Sequence, residues 1–256
     1  MESTEPSKSK KDSQKVRKNR QKARREFLES MSKEEREEFL LKEKTEKLQQ
    51  TKYEQKLLDN MHTFPKVYFD CSFCDTLVFK ELKSLILQIN CCIKTMKSCK
   101  MTDLSEAEAD QEPLVYSINI TSYKDNLQET WERCGVSKFI HSKTPEDIES
   151  ISLTNAIYLS PDATEDLEDF DPLTTNFIIG GIVDRTVSSK LTLNKANSIN
   201  PDEQLQCRRL PLQKYLDKKS KFVLNINTVY EILLRYCNSR NWEEAILQSV
   251  PMRIRG

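Results

Sequence analysis

Glycine is scarce, with 4 in 256 residues, and histidine scarcer, with 2. No Gly-x-x-x-x-Gly-Lys-Ser/Thr run occurs, so a nucleotide hydrolase built on a phosphate loop has no support. No stretch approaches the roughly 18 apolar residues of a membrane span. The N-terminus is polar, unlike a secretory signal. The chain therefore reads as soluble and intracellular, and its eight cysteines as reduced thiols. Cys71-Ser-Phe-Cys74 has zinc-type spacing, with Cys91, Cys92 and Cys99 downstream. No second Cys-x-x-Cys and no close His pair completes a site, so packed thiols are expected and no metal.

An excess of one charge is also absent, with 40 basic and 40 acidic residues, but the charges are segregated. Between Lys8 and Arg25 ten Lys or Arg residues face one acid, Asp12, a net of 10 − 1 = +9. Acids concentrate in Asp103–Glu112 and Asp162–Asp171. A basic arm with an anionic partner follows, or a solvated tail, or a nuclear address. From Arg24 the composition turns helical, with Phe27, Leu28, Met31, Phe39, Leu40 and Leu41 on a charged background. Ser32-Lys-Glu-Glu35 has the spacing of a capping box that would start a second helix.

The compact part begins near Phe64. Short apolar strands are expected at Lys66–Asp70, Leu114–Ile120, Phe139-Ile140, Ala156–Leu159, Phe177–Ile179, Arg208–Leu210 and Phe222–Leu224. Helices are expected at Asp75–Lys97, Asp125–Cys134 (closed by Gly135), Asn227–Cys237 and Trp242–Gln248. This alternation describes an α/β domain with a mostly parallel sheet flanked by helices. The division expected is a basic, partly disordered or helical arm over 1–60 and a domain over 61–256.

Two of the four glycines adjoin in Phe177-Ile-Ile-Gly-Gly-Ile-Val-Asp-Arg185. An apolar strand here ends in residues with no side chain to hold a ligand away, followed by an acid and a base. Open α/β sheets place ligand crevices at such strand ends. A tight turn with a surface salt bridge explains the same residues.

Taken in order, Ile157-Tyr-Leu-Ser-Pro-Asp162, Ile179–Arg185, Arg209-Leu-Pro-Leu212 and Lys221–Leu234 resemble the tRNA N1-purine methyltransferases that modify position 9, a branch of the knotted SPOUT class. Phe69-Asp-Cys-Ser-Phe73, Ser137-Lys138 with His141, and Asn241-Trp-Glu-Glu-Ala245 extend the likeness from about Phe64 to the C-terminus. The chain departs from the family pattern at Thr186 and at Lys190-Leu191, where the family tends to carry Asn and Lys-Gly.

The resemblance implies a SPOUT-type sheet with a C-terminal trefoil knot. It implies S-adenosylmethionine bound by Leu159, Ser160, Gly180, Gly181, Ile182, Arg208, Leu210 and Leu212, with Asn225 and Val229 behind. Asp184 would be the catalytic residue. Guanine N1 carries a proton that a carboxylate can remove, whereas adenine N1 needs only positioning, so guanine is the favoured target. The tRNA partner would be gripped by Lys15, Arg17, Lys18, Arg20, Lys22, Arg24 and Arg25 on the arm, and by Arg185, Lys190 and Arg209 near the pocket. The branch is expected to act as a monomer, in the nucleus or cytoplasm. The alternative is a non-catalytic tRNA-binding scaffold that keeps the fold.

Overall fold

The computed structural model describes residues 8–99, 113–183, 190–199, 205–216 and 223–255. The chain divides into two compact units, Met1–Gln55 and Lys56–Gly256.

In the first unit, α1 (Lys8–Glu29) is followed by α2, which begins at Lys33 and runs to Asn60. The capping box forms: Ser32 N–H donates to Glu35 Oε2 at 2.8 Å, and Glu35 N–H donates to Ser32 Oγ at 3.2 Å. Phe27 meets Phe39 edge-to-face at 5.5 Å, and Arg24 Nη1 donates to Glu43 Oε1 at 2.6 Å. Arg36 Nε caps the free carbonyl of Leu28 at 2.7 Å. Little apolar surface is hidden; Phe27, Leu40, Leu41 and Leu48 are all exposed.

The second unit is built on six parallel strands: β1 (Lys66–Asp70), β2 (Ser117–Thr121), β3 (Ile140–Lys143), β4 (Ala156–Leu159), β5 (Asn176–Gly180) and β6 (Gln206–Arg208). Their order in the sheet is β3-β2-β1-β5-β4-β6. All five pairings are parallel, so every strand ends on the same side of the sheet. Between and after them lie α3 (Phe79–Ser98), α4 (Asp125–Cys134), α5 (Leu191–Ile199), α6 (Leu212–Tyr215), α7 (Ile226–Ser239), α8 (Trp242–Ser249) and α9 (Met252–Arg255).

One cluster of the core stacks Tyr68, Ile178 and Tyr158, paired across β1, β5 and β4, on Ile148 and on Ala196 of α5. Elsewhere Phe177 packs edge-to-face with Tyr116 at 5.7 Å and with Phe170 at 4.9 Å. Tyr230 of α7 donates its hydroxyl to Tyr116 O at 2.9 Å, and Tyr236 stacks on Trp242 of α8 at 3.8 Å. Gly135 takes a left-handed φ of 83° to end α4.

Several expected boundaries shift. The strand expected at Leu114–Ile120 begins only at Ser117, and the one expected at Phe139-Ile140 runs over Ile140–Lys143. A separate 3-10 turn takes Ser72–Thr76, and α3 starts only at Phe79, where Glu81 turns back to accept the Val78 N–H at 3.0 Å. The strand expected at Arg208–Leu210 lies at Gln206–Arg208. The strand expected at Phe222–Leu224 does not form at Val223 or Leu224; Val223 is 59% exposed and α7 begins three residues on. Phe222 lies outside the described residues. No helix among the described residues is long and apolar enough to cross a membrane.

Candidate functional site

The ends of β1, β5, β4 and β6 converge through strand register: Asp70 pairs with Gly180, Ile179 with Leu159, and Leu159 with Arg208. Ser160 extends this edge, donating its N–H to Arg208 O at 2.9 Å. Leu159, Ser160, Gly180, Gly181 and Arg208 are therefore brought together as the sequence predicts. Half-buried Ile182 follows the glycines directly.

The glycines serve close packing rather than unusual backbone angles, since neither has positive φ. A Cβ on Gly181 would fall 2.9 Å from Asp70 O and 3.1 Å from Cys71 Sγ. A Cβ on Gly180 would fall 2.6 Å from Cγ2 of Thr192. In both cases what presses on the glycine is the chain itself. Gly181 also donates to Asp70 O at 2.7 Å, carrying the β1–β5 ladder one residue further.

Asp70 is a fully buried acid that sequence reasoning missed as a site residue. Its carboxylate accepts from Tyr158 Oη at 2.9 Å and from Ser72 N–H at 3.1 Å. Burial, and then the neighbouring Asp70 carboxylate, push the Tyr158 phenol upward, so it stays a donor. Beside it, Cys71 and Cys74 are buried, and the Cys71 thiol is raised by its hydrogen bond with Cys74 and by burial. Among the described residues no group of three His, Cys, Asp or Glu side chains is placed to hold a metal.

The acidic run faces the basic residues of β6 and beyond. Arg208 Nη1 pairs with Glu165 at 2.6 Å, and Arg209 Nε with Asp166 at 2.7 Å. Lys214 reaches Asp166 at 3.3 Å. Backbone bonds join the same segments: Arg209 N–H to Glu165 O at 3.0 Å and Leu167 N–H to Arg209 O at 2.7 Å. Burial alone would raise the Asp166 carboxyl, but hydrogen bonds from Arg209 and Lys214 outweigh it and hold the group below its usual range. Arg208 and Arg209, predicted to touch cofactor and tRNA, are thus engaged by the chain's own acids.

Leu210 is half-buried, and Leu212 is buried at the start of α6. Asn225 is exposed at the start of α7, where its carbonyl accepts from Thr228 and Val229. Lys190 is exposed, and its N–H donates to Asp162 Oδ2 at 2.8 Å. It carries a left-handed φ of 68°, so the left-handed residue at this bend is Lys190 and not Leu191, where the glycine is missing. On α1, Lys15, Arg17, Lys18 and Arg20 are exposed, whereas Lys22, Arg24 and Arg25 pair with Glu26, Glu43 and Glu29. Asp184 and Arg185 lie outside the described residues. A cleft of about 510 Å³ lies at the other end of the strands, lined by Ala156, Ile157 and Gln206 among others.

A sequence model of the family described as "tRNA (guanine(9)-N(1))-methyltransferase TRM10/TRM10A" matches residues 2–255. The chain belongs to this family. A tRNA (guanine(9)-N1)-methyltransferase of Eremothecium gossypii is 31% identical over 73% of this chain and 58% of its own. The Bos taurus tRNA methyltransferase 10 homolog B is 30% identical over 78% of this chain and 61% of its own. The chain thus spans about three fifths of the length of these curated relatives. A crystal structure of full-length spTrm10 in complex with SAH has the same fold, with a TM-score of 0.54 at 21% identity over 74% of this chain and 98% of that one.

The residues at the strand ends suit an adenosyl group. Leu159, Ile182 and Leu210 are apolar, and Arg208, the register partner of Leu159, is paired with Glu165.

Proposed function

We propose that this chain methylates N1 of guanine at position 9 of tRNA, with S-adenosylmethionine as methyl donor. The family match over residues 2–255 carries the reading. Leu159, Ser160, Gly180–Ile182 and Arg208–Leu212 would hold the cofactor, with Asn225 and Val229 behind them. Bound there, the cofactor supplies an electrophilic methyl group. The strand ends hold the cofactor's place against the target base, so that transfer becomes a matter of alignment. Asp184 takes the N1 proton of guanine as general base.

The likeness to solved Trm10 folds supports a trefoil knot in the C-terminal part of the sheet. Position 9 is stacked in folded tRNA, so its base must leave the stack to react. The exposed cations of α1 are suited to grip phosphates while that happens, joined by Arg185 and Lys190 nearer the pocket; Arg209 would have to leave Asp166 to join them. We place the protein in the nucleus, the cytoplasm or both, acting as a monomer.

Asp184→Asn tests the chemical role. The account expects methyl transfer to slow by roughly 10²–10⁴-fold, the usual scale of general-base loss, and its pH dependence to flatten. An unchanged rate and pH profile would remove Asp184 from the chemistry.

A further inference from the structure

Gly180 and Thr192 lie twelve residues apart in sequence and fit together as one surface. Of the three atoms nearest a Cβ placed on Gly180, Phe73 Cε2 and Tyr158 Oη lie at 3.5 Å, an ordinary contact. Only Thr192 Cγ2, at 2.6 Å, is too close. Alanine at 180 would therefore force one methyl group, that of Thr192, to shift. The other branch of Thr192 points to a different neighbour, with its Oγ1 lying 2.8 Å from Oγ of Ser160, which is 2% exposed. Next to it, Lys190 N–H is fixed by Asp162, whose own N–H donates to Ser160 Oγ at 3.2 Å. The start of α5 is thus fastened to the ends of both β4 and β5.

We infer that Thr192 is a positioning residue for the cofactor edge. Its methyl fills the space that glycine leaves at 180, and its hydroxyl sets Ser160, so α5 fixes the relative placement of the two strand ends. Gly180 is then a glycine because of Thr192, while Gly181 is one because of the Asp70 backbone. This rests on the reading that the edge binds S-adenosylmethionine.

The test is calorimetric titration of the full chain with S-adenosylhomocysteine, alongside thermal melting, for wild type and a small set of variants. Gly180→Ala should weaken binding by roughly tenfold to a hundredfold, the scale of an overpacked contact. The double variant Gly180→Ala/Thr192→Ser, which removes Cγ2 and keeps the hydroxyl, should recover affinity to within about threefold of wild type, because the two sites are directly coupled. Gly181→Ala should lose affinity, and Thr192→Ser should not restore it. Thr192→Val keeps the shape without the hydroxyl. It should weaken binding about fivefold, the worth of one hydrogen bond, and raise KM for S-adenosylmethionine more than it lowers kcat.

A double variant as weak as Gly180→Ala overturns the inference, because the glycine would then be required by the cofactor. So does a Thr192→Val protein with wild-type affinity. A wild-type protein that binds no S-adenosylhomocysteine overturns the functional reading instead, and the cofactor half of this inference with it. The packing half is then decided by whether the double variant regains the melting temperature lost in Gly180→Ala.

Discussion

The two units of this chain are held together by different forces. In Met1–Gln55 the helices are fastened by a capping box, one aromatic pair and ion pairs open to solvent, with Phe27, Leu40 and Leu41 still exposed. In Lys56–Gly256 the four central strands, β2, β1, β5 and β4, are buried on both faces, and Leu85, Ile118, Phe177 and Tyr230 have no exposed surface. Charge follows the same division. Near the sheet edge, cations meet the chain's own acids: Arg208 with Glu165 and Arg209 with Asp166. On α1 they outnumber acids ten to one between Lys8 and Arg25. The arm is therefore suited to grip a polyanion, and the sheet to hold a small ligand at a rigid edge.

Cutting the chain after Gln55 should produce the largest effect. It keeps the buried Leu57 and Met61 with the sheet unit, so S-adenosylhomocysteine affinity should change little. Losing most of the phosphate contacts should weaken tRNA binding by roughly 10²-fold or more at low salt and flatten its salt dependence. Equal loss of both affinities would break the contrast. Leu85→Ala should come next, costing about 2–5 kcal/mol in denaturant unfolding, whereas Leu41→Ala, at an exposed position, should cost under ~0.5 kcal/mol. Similar costs would mean that the arm has a core of its own.

Smaller effects are expected at the acidic run. Asp166→Asn should cost about 0.5–1 kcal/mol, as a partly exposed pair does. The Asp166 pKa is lowered in the folded state, so its contribution is complete above the ordinary carboxylate range. It is lost as pH falls through the lowered folded value. Wild type should therefore lose stability relative to Asp166→Asn below about pH 4 in paired unfolding curves. Parallel curves would show that the pair contributes nothing.

Much of the fold was legible because local pattern and tertiary context agree. Lys66–Asp70 and Ala156–Leu159 are short apolar runs, and Asp125–Cys134 ends at a glycine; their limits in the structure are those of the pattern. Where pattern and context part, the sequence misleads. Leu77 and Val78 continue the apolar spacing of α3, yet Val78 is exposed and both lie outside the helix, after a 3-10 turn that ends at Thr76. Phe222–Leu224 looks like a strand, but apolar character at Val223 is not matched by burial.

The site was legible as an edge and not as a set of contacts. The resemblance groups Leu159, Ser160, Gly180 and Arg208, and the register of the neighbouring strands β5, β4 and β6 sets them at one edge. Asp70 was overlooked because its partner, Tyr158, is 88 residues away and no spacing announces the pair. Arg209 looked free for the same reason, since Asp166 lies 43 residues before it. Glycine scarcity did single out Gly180 and Gly181, as residues that leave room for a ligand; in the structure the atoms that crowd them are the chain's own.

The central claim is tested most directly by methyl transfer from labelled S-adenosylmethionine to two tRNA transcripts that differ only in G or A at position 9. The account predicts label in the G9 transcript, mapped to that nucleotide, and little or none in the A9 transcript. Label in neither, with tRNA still bound, would contradict it and leave a protein that holds tRNA without modifying it.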